Sequence, residues 1–377
     1  ATPGWVKPGG RRTAKKGRGR GTGSVPGGAE SPALGPPGAS GTVPRCQRGA
    51  GRATPPRVSA IASSVVAAQS RPDGPSFDLD VPPGGYAWWY VDALSDDGRH
   101  GLTVIAFVGS VFSPYYARAG RADPLDHCAI NVALYTPRGS RWAMTERRRP
   151  DVSRSDGTFA VGPSALRWDG DGLTIDIEER TFPFPSRMSG RVRIRPEVTT
   201  QHRVLLDGDG RHVWWPLAPR SRVEVDLPHP GAKWSGTGYF DTNWGATPLE
   251  DAFGEWNWSR VPLRDGAAVL YDVTRQHGEP LSVALRIGSG GVESFDAPPE
   301  HRLPAGAVWR VPRATRAEAE PRVRRTLEDT PFYTRSVLDT TLLGERTEGV
   351  HESLSLTRFS TDWVKFLLTF RMPRARG

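Results

Sequence analysis

From Phe77 onward, short runs rich in β-branched and aromatic residues alternate with Gly, Pro and Asp. Gly, Pro and Asp recur about every eight to twelve residues, which is typical of short strands joined by turns. The predicted strands are Gly101–Val111, Ala129–Tyr135, Leu173–Glu179, Arg191–Ile194, Val223–Leu227, Ala267–Val273 and Leu281–Ile287. The Asp-Gly sequences at 96–98, 169–172 and 207–210 suit tight hairpin turns. The pattern predicts an all-β fold, with either two barrels or a barrel and a sandwich.

One segment suggests a helix instead of a strand. The run Thr315–Leu327 has the composition of an amphipathic helix, although Pro321 interrupts it. We therefore expect a short helix near this position, outside the predicted strands.

Residues 1–74 differ in composition from the rest of the chain. They are rich in Gly, Pro, Arg and Ser and poor in large apolar residues, which predicts a disordered tail. Residues 1–73 carry 12 Lys and Arg but only Glu30 and Asp73 as acids, a net charge of +10 against +9 for the whole chain. The folded part is therefore nearly neutral, and a nucleic-acid-binding role finds no support in the overall charge.

The two cysteines and the hydropathy indicate where the protein works. Cys46 lies in the tail and Cys128 in an apolar run, so we expect two free thiols and a cytoplasmic, reducing environment. No apolar run approaches the roughly eighteen residues of a membrane span. Contact with a membrane is therefore expected to be peripheral.

The densest group of polar and aromatic residues lies between positions 211 and 260. It contains His212-Val213-Trp214-Trp215-Pro216, Tyr239-Phe240-Asp241-Thr242-Asn243-Trp244-Gly245 and Glu255-Trp256-Asn257-Trp258. Because strand side chains alternate between faces, His212 and Trp214 are expected on one face, as are Tyr239 and Asp241. Two such pairs pointing into one barrel would place an acid, an imidazole and aromatic rings around one cavity.

Several common kinds of site are missing from the sequence. Gly236-x-Gly238 lacks the later glycine of a phosphate-binding loop, the histidines lack zinc-site spacing, and no Gly-x-Ser-x-Gly motif is present. We expect no metal and no cofactor. What remains is acid chemistry in an aromatic environment.

A buried carboxylic acid beside aromatic rings can protonate an alkene, because burial keeps the acid neutral and ring faces stabilise the cation. Asp241, with Tyr239, Trp214 and Trp244, fits this description, and His212 could orient the acid or hold water. The competing interpretation is a turn aspartate that accepts hydrogen bonds from local backbone N–H groups, with the tryptophans serving as core.

Longer strings resemble one enzyme family. They are Gly84–Gly98 (GGYAWWYVDALSDDG), Phe107–Tyr116 (FVGSVFSPYY), Asp126–Tyr135 (DHCAINVALY), Trp142–Arg147 (WAMTER), Gly238–Gly245 (GYFDTNWG) and Val350–Leu356 (VHESLSL). The chain from about Phe77 to Pro373 resembles the carotenoid 1,2-hydratases, also called hydroxyneurosporene synthases.

The resemblance implies a lipocalin-like, two-part β-barrel architecture and hydration without a cofactor. The implied substrates are acyclic carotenoids such as neurosporene and lycopene, with water as co-substrate and a 1-hydroxy carotenoid as product. It also implies a place at a photosynthetic membrane. The proposed acid of the family falls on Asp241 and its tyrosine on Tyr239, while a His-x-Trp pair falls on His212 and Trp214. Thr242 stands where the family commonly has histidine.

The domain prediction has three parts: the tail 1–74, an N-terminal lipocalin-like domain 75–220 and a C-terminal one 221–377, with a shared site. Catalytic residues are predicted at Asp241, Tyr239, His212 and Trp214, and Trp244 is predicted to contact substrate. We expect no nucleic acid and no obligate protein partner. A non-catalytic carotenoid- or lipid-binding barrel and a terpenoid-cyclase-like enzyme remain as alternatives.

Overall fold

The computed structural model describes residues 74–375. The predicted tail lies outside the described residues apart from Gly74, and so does Cys46. Cys128 is a buried free thiol immediately before the third strand.

The first half of the described chain forms one twelve-stranded antiparallel sheet. Its strands, in chain order, are β1 (Tyr86–Ser95), β2 (Gly101–Val108), β3 (Ala129–Thr136), β4 (Gly139–Met144), β5 (Val152–Ser155), β6 (Thr158–Val161), β7 (Ser164–Trp168), β8 (Leu173–Arg180), β9 (Arg187–Val198), β10 (Val204–Leu205), β11 (His212–His229) and β12 (Ala232–Gly245). The order across the sheet is β4-β3-β2-β1-β12-β11-β9-β8-β7-β6-β5, with β10 paired to β11. An isolated bridge between Ala143 and Thr181 connects β4 to the end of β8, so the sheet curls back on itself.

The second half forms a seven-stranded sheet of order β16-β15-β14-β13-β21-β20-β19 and a two-stranded ribbon of β17 and β18. These strands are β13 (Phe253–Pro262), β14 (Ala267–Arg275), β15 (Leu281–Gly288), β16 (Gly291–Ser294), β17 (Glu300–Leu303), β18 (Arg313–Arg316), β19 (Arg322–Asp329), β20 (Tyr333–Leu342) and β21 (Glu345–Ser355). Four short α-helices complete the described chain: α1 (Pro114–Arg118), α2 (Leu249–Ala252), α3 (Leu356–Phe359) and α4 (Asp362–Thr369). Two single-turn 3-10 helices lie at Pro124–Asp126 and Arg149–Asp151. Among residues 74–375, no helix combines the length and apolar character needed to cross a bilayer.

The two faces of the central strands serve different cores. Along β1, Ala87, Trp89 and Val91 pack into the core enclosed by the curled first sheet. The alternating residues Tyr86, Trp88 and Tyr90 pack into a second core, which also contains apolar residues of β13, β14, β15 and β21. Period-two alternation therefore makes one strand contribute to both cores. The candidate site lies in the second core, between the two sheets.

The predicted all-β class is confirmed, and the architecture is lipocalin-like. Each predicted strand falls on an observed one, and the three Asp-Gly turns lie between strands. The predicted helix at Thr315–Leu327 is wrong, because this segment contains the end of β18 and most of β19. In β19 the arginines at 322 and 324 alternate with half-buried neighbours, and pairing with β20 outweighs local helix propensity. The boundary at residue 220 stays a prediction; β11 runs through that position.

Candidate functional site

Asp241 is buried on β12, with 4% of its surface exposed. Its Oδ2 atom accepts two hydrogen bonds of 2.9 Å, one from the indole N–H of Trp214 and one from the hydroxyl of Tyr239. Its Oδ1 atom accepts a longer bond of 3.2 Å from the side-chain amide of Asn243. The residue therefore lies within a strand, and it does not have the local backbone contacts of a turn aspartate.

Register and alternation explain this arrangement. Strand β12 lies between β1 and β11, and Trp214 of β11 pairs with Asn243 of β12. Tyr239, Asp241 and Asn243 are two residues apart along one strand, so their side chains share a face. Trp214 joins them from the neighbouring strand, as a cross-strand diagonal neighbour of Asp241.

Burial changes the acidity of this carboxyl group. Desolvation raises the pKa of Asp241 from 3.8 to about 8, although the hydrogen bonds from Trp214 and Tyr239 act in the opposite direction. The charges of Glu352 and Asp92 add to the increase. Burial also raises the pKa of Tyr239 well above its ordinary value, so its hydroxyl remains a donor. Asp241 is consequently a neutral acid at neutral pH.

Aromatic rings surround the acid. Asp241 lines a small inner pocket of about 40 Å³ between the two sheets. The other lining residues are Trp88, Tyr90, Trp214, Asn243, Trp256, Trp258, Tyr271 and Glu352. Rings around the acid meet edge to face: the centroids of Tyr239, which bonds Asp241, and Trp258 are 5.0 Å apart, and those of Trp214 and Tyr271 are 5.2 Å apart. The packing fixes the rings around the acid in defined orientations.

A larger apolar cavity adjoins the inner pocket. It has a volume of about 330 Å³ and shares Trp88, Tyr90, Trp256 and Glu352 with the pocket. Its outer part is lined by Trp309 and by Leu367 and Leu368 of α4. The arrangement therefore suits an elongated apolar molecule whose end reaches Asp241.

His212 lies on the same face of β11 as Trp214 but outside the inner pocket. One ring nitrogen is 2.9 Å from the hydroxyl of Tyr86, and the other is 3.0 Å from Thr247 Oγ1. Desolvation lowers its pKa to about 4, so the ring is neutral. Gly245 is required beside this pair, since a Cβ atom there would lie 2.6 Å from both His212 and Tyr86. Tyr86 in turn stacks on Trp88 at 4.9 Å, which connects His212 indirectly to the pocket.

The structure does not bring Trp244 to the acid. Trp244 points to the opposite face of β12 from Asp241 and packs against the first core. The Arg203 guanidinium lies 6.0 Å from its ring centroid. Asp241, Tyr239 and Trp214 therefore come together as the sequence predicts, whereas His212 is adjacent and Trp244 is separate.

Within residues 74–375, no three His, Cys, Asp or Glu side chains are grouped so that they could hold a metal ion.

Comparison with known proteins identifies the family to which this arrangement belongs. The family described as carotenoid hydratase CrtC matches residues 104–377. The chain belongs to the carotenoid hydratase family. It is 56% identical to an acyclic carotenoid 1,2-hydratase from Thiocapsa roseopersicina, over 81% of this chain and 76% of that protein.

Other relatives agree with this placement in the carotenoid hydratase family. The acyclic carotenoid 1,2-hydratase of Rubrivivax gelatinosus is 50% identical, over 80% of this chain and 76% of that protein. The fold also resembles a crystal structure of an AttH protein from Nitrosomonas europaea, with a TM-score of 0.50 and 16% identity. That likeness covers 75% of this chain and 99% of the other, and it concerns the fold alone.

Several pocket residues of this carotenoid hydratase were not among the predicted catalytic and substrate-contacting residues. They are Trp88, Tyr90, Asn243, Trp256, Trp258, Tyr271 and Glu352. Alternation of aromatic residues at positions 86, 88 and 90, and at 256 and 258, is a signal that could have selected some of them. Glu352 has no such local signal, because it reaches the pocket from a distant strand, β21.

Proposed function

We propose that this chain is a carotenoid 1,2-hydratase that adds water to the terminal C1=C2 double bond of an acyclic carotenoid, without a cofactor. The observation that carries the proposal is the neutral carboxyl group of Asp241, enclosed by aromatic rings at the inner end of an apolar cavity. A protein that merely binds carotenoids has no need of a buried acid. The high identity to acyclic carotenoid 1,2-hydratases supports the same substrate class.

Hydrogen bonding indicates which oxygen of Asp241 carries the proton. Oδ2 accepts bonds from both Trp214 and Tyr239, and these two donors occupy its lone pairs. The proton of the neutral acid is therefore assigned to Oδ1. After proton transfer, the same two donors stabilise the carboxylate that remains.

The first chemical step is protonation of the alkene. The electron pair of the C1=C2 bond takes the proton from Asp241 to form a C2–H bond, which leaves a tertiary cation at C1. Ring faces of Trp214, Trp256 and Trp258 stabilise this cation, each by about 0.5–2 kcal/mol. Water then attacks C1, and its surplus proton passes to a carboxylate of the pocket, which leaves a tertiary alcohol.

His212 is proposed to position other residues. Its bond to the Tyr86 hydroxyl holds the ring that stacks on Trp88, and Trp88 lines both the pocket and the outer cavity. Trp244 has no comparable connection to the pocket, and its predicted contact with substrate has no support in this arrangement.

We also propose that the protein contacts a membrane peripherally through an aromatic patch, defined as Trp309, Trp363, Phe366, Leu367 and Phe370. Each of these side chains is 37–57% exposed. Trp309 and Leu367 line the outer cavity as well, so the patch is continuous with its mouth. A lipid surface is the favoured partner, since the proposed substrate dissolves in lipid and aromatic residues favour the interface. A cytoplasmic location at a photosynthetic membrane is consistent with this surface.

The test of the proposed reaction is incubation of purified protein with lycopene or neurosporene in water enriched in ¹⁸O. We expect a more polar product that contains one labelled oxygen and no new ring. Asp241→Asn should give no product yet still bind the polyene. A matched control is Glu179→Gln, which alters a buried carboxylate outside both cavities and should keep activity. Normal turnover by Asp241→Asn would contradict the role of this acid.

A further inference from the structure

Glu352 places a second carboxylate at the junction of the inner pocket and the outer cavity. Its Oε1 atom accepts hydrogen bonds of 2.6 Å from the Tyr90 hydroxyl and 2.8 Å from the Arg335 guanidinium. Arg335 is itself buried, with 2% of its surface exposed. Among the described residues, the hydrogen bonds and the ion pair of Glu352 all use Oε1, so Oε2 is available for a further partner. Glu352 is thus a paired carboxylate with one oxygen unused.

Two other polar atoms of the inner pocket have no hydrogen-bonding partner among residues 74–375. They are the acceptor Asn243 Oδ1 and the donor Trp258 Nε1. Both side chains are at least nine-tenths buried, and a buried polar atom without a partner is costly in free energy. An acceptor, a donor and a carboxylate therefore converge on a pocket whose volume of about 40 Å³ has room for a water molecule.

On the basis of the proposed function, we infer that Glu352, Asn243 and Trp258 form the binding site of the attacking water and that Glu352 removes its proton. In this assignment, one carboxyl group donates the proton to C2 and a different one accepts the proton from the attacking water. Asp241 is the acid, held neutral by its apolar surroundings, and Glu352 is the base, paired with a guanidinium. His212 is an unsuitable holder of this water, because both of its ring nitrogens already have partners outside the pocket.

The water oxygen forms a bond to C1 of the cation, and one of its hydrogens passes as a proton to the Glu352 carboxylate. The Asp241 carboxylate, which gave its proton to C2, regains one from protonated Glu352 through the next water molecule that enters the pocket. One molecule of water is added in total, and both carboxyl groups return to their starting states.

The role of Glu352 as base can be tested separately from the role of Asp241 as acid. The test is the reaction of the Glu352→Gln variant in D₂O. Without the base, Asp241 still delivers deuterium to C2, and the cation reverts when the Asp241 carboxylate takes a proton from C2 or from a methyl group. We expect kcat for hydration to fall about 10²–10⁴-fold. Deuterium should nevertheless enter the recovered carotenoid or its end-group double-bond isomer. Asp241→Asn should show neither hydration nor deuterium entry.

A second variant tests the site without disturbing the ion pair. Trp258→Phe keeps an aromatic ring but removes an N–H group that has no partner among the described residues. If Trp258 had only a structural role, removing its unpaired N–H group would not lower the hydration rate. We expect instead that the hydration rate falls about tenfold while deuterium still enters the carotenoid. Glu179→Gln, which leaves another buried carboxylate–arginine pair incomplete, is the control for general damage and should change neither readout.

Two results would overturn the inference. One is near-normal hydration by Glu352→Gln, and the other is loss of hydration and deuterium entry together in both Glu352→Gln and Trp258→Phe. Hydration by Asp241→Asn would instead contradict the role of Asp241 as the acid. Because that result is seen in a different variant, a failure of the proposed acid can be distinguished from a failure of the proposed base.

Discussion

The indole nitrogen of Trp214 donates a hydrogen bond of 2.9 Å to Oδ2 of Asp241, across the β11–β12 pair. This contact opposes the effect of burial, because it favours the ionised carboxyl group while desolvation favours the neutral one. Both states are needed in the proposed reaction: Asp241 must be protonated before the step and must become a stable carboxylate after it.

Replacing Trp214 by Phe should weaken the acid while keeping a ring near the cation. Loss of one charge-assisted hydrogen bond, about 1.5 kcal/mol, corresponds to roughly a tenfold lower kcat and a higher pKa of Asp241. Steady-state kinetics over a range of pH measures both effects. Trp215→Phe is the matched control, since the Trp215 indole donates to Thr200 O on the other face of β11. An equal decrease in kcat in the two variants would show that the hydrogen bond from Trp214 to Asp241 has no specific role in the reaction.

The activity should depend on pH through Asp241. With a pKa of about 8, the acid is protonated below this pH and ionised above it. We therefore expect kcat/KM to be level near neutral pH and to fall about tenfold per pH unit well above 8. Wild-type pH–rate profiles at fixed ionic strength provide the measurement. A decline centred near pH 4, the value of an exposed aspartate, would contradict a buried acid.

Replacing His212 by Ala should affect stability more than chemistry. The change leaves the buried Tyr86 hydroxyl without its partner, which costs about 1–3 kcal/mol of the free energy of unfolding. As a positioning residue, His212 should lower kcat less than tenfold and leave the pH–rate profile unshifted. Urea denaturation and steady-state kinetics test the two parts. Abolished hydration with deuterium entry retained would instead assign the water to His212.

Narrowing the outer cavity should weaken the binding of long substrates more than that of short ones. Leu368 of α4 lines this cavity, and Leu368→Trp would fill part of its volume of about 330 Å³. We expect KM for a full-length acyclic carotenoid to rise about tenfold, corresponding to roughly 1.4 kcal/mol. A ten-carbon isoprenoid with the same end group should be affected much less, because it occupies only the inner region. An equal rise in KM for both substrates would show that the polyene chain does not bind in the outer cavity.

Removing the exposed phenylalanines of the aromatic patch should weaken attachment to lipid. Phe366 and Phe370 are each 57% exposed, and changing both to Ser should reduce partitioning into mixed phosphatidylcholine–phosphatidylglycerol vesicles at least tenfold. Vesicle sedimentation measures this directly. Phe184→Ser is the control, since Phe184 is 85% exposed but lies outside the patch. A similar decrease in the control would indicate nonspecific adhesion.

The sequence by itself determined the all-β class, seven of the described strands, the three Asp-Gly turns and the face shared by Tyr239 and Asp241. Alternation at positions 239 and 241 placed Tyr239 beside Asp241, because successive strand side chains point to opposite faces. The prediction that Trp244 contacts substrate relied on proximity in sequence, but the same alternation puts Trp244 on the face opposite Asp241, against the first core. The failed helix at Thr315–Leu327 shows the limit of local propensity, since pairing with β20 decides its conformation.

Only the tertiary structure decided where the pocket lies and which distant groups complete it. The acid faces the space between two sheets, so the lining residues Trp256, Trp258 and Tyr271 come from the second sheet. Glu352 lines the same pocket as Asp241 but comes from a strand more than a hundred residues later in the chain, a proximity that no local pattern encodes. The raised pKa of Asp241 is likewise a product of packing, because desolvation depends on everything that excludes water from the carboxyl group.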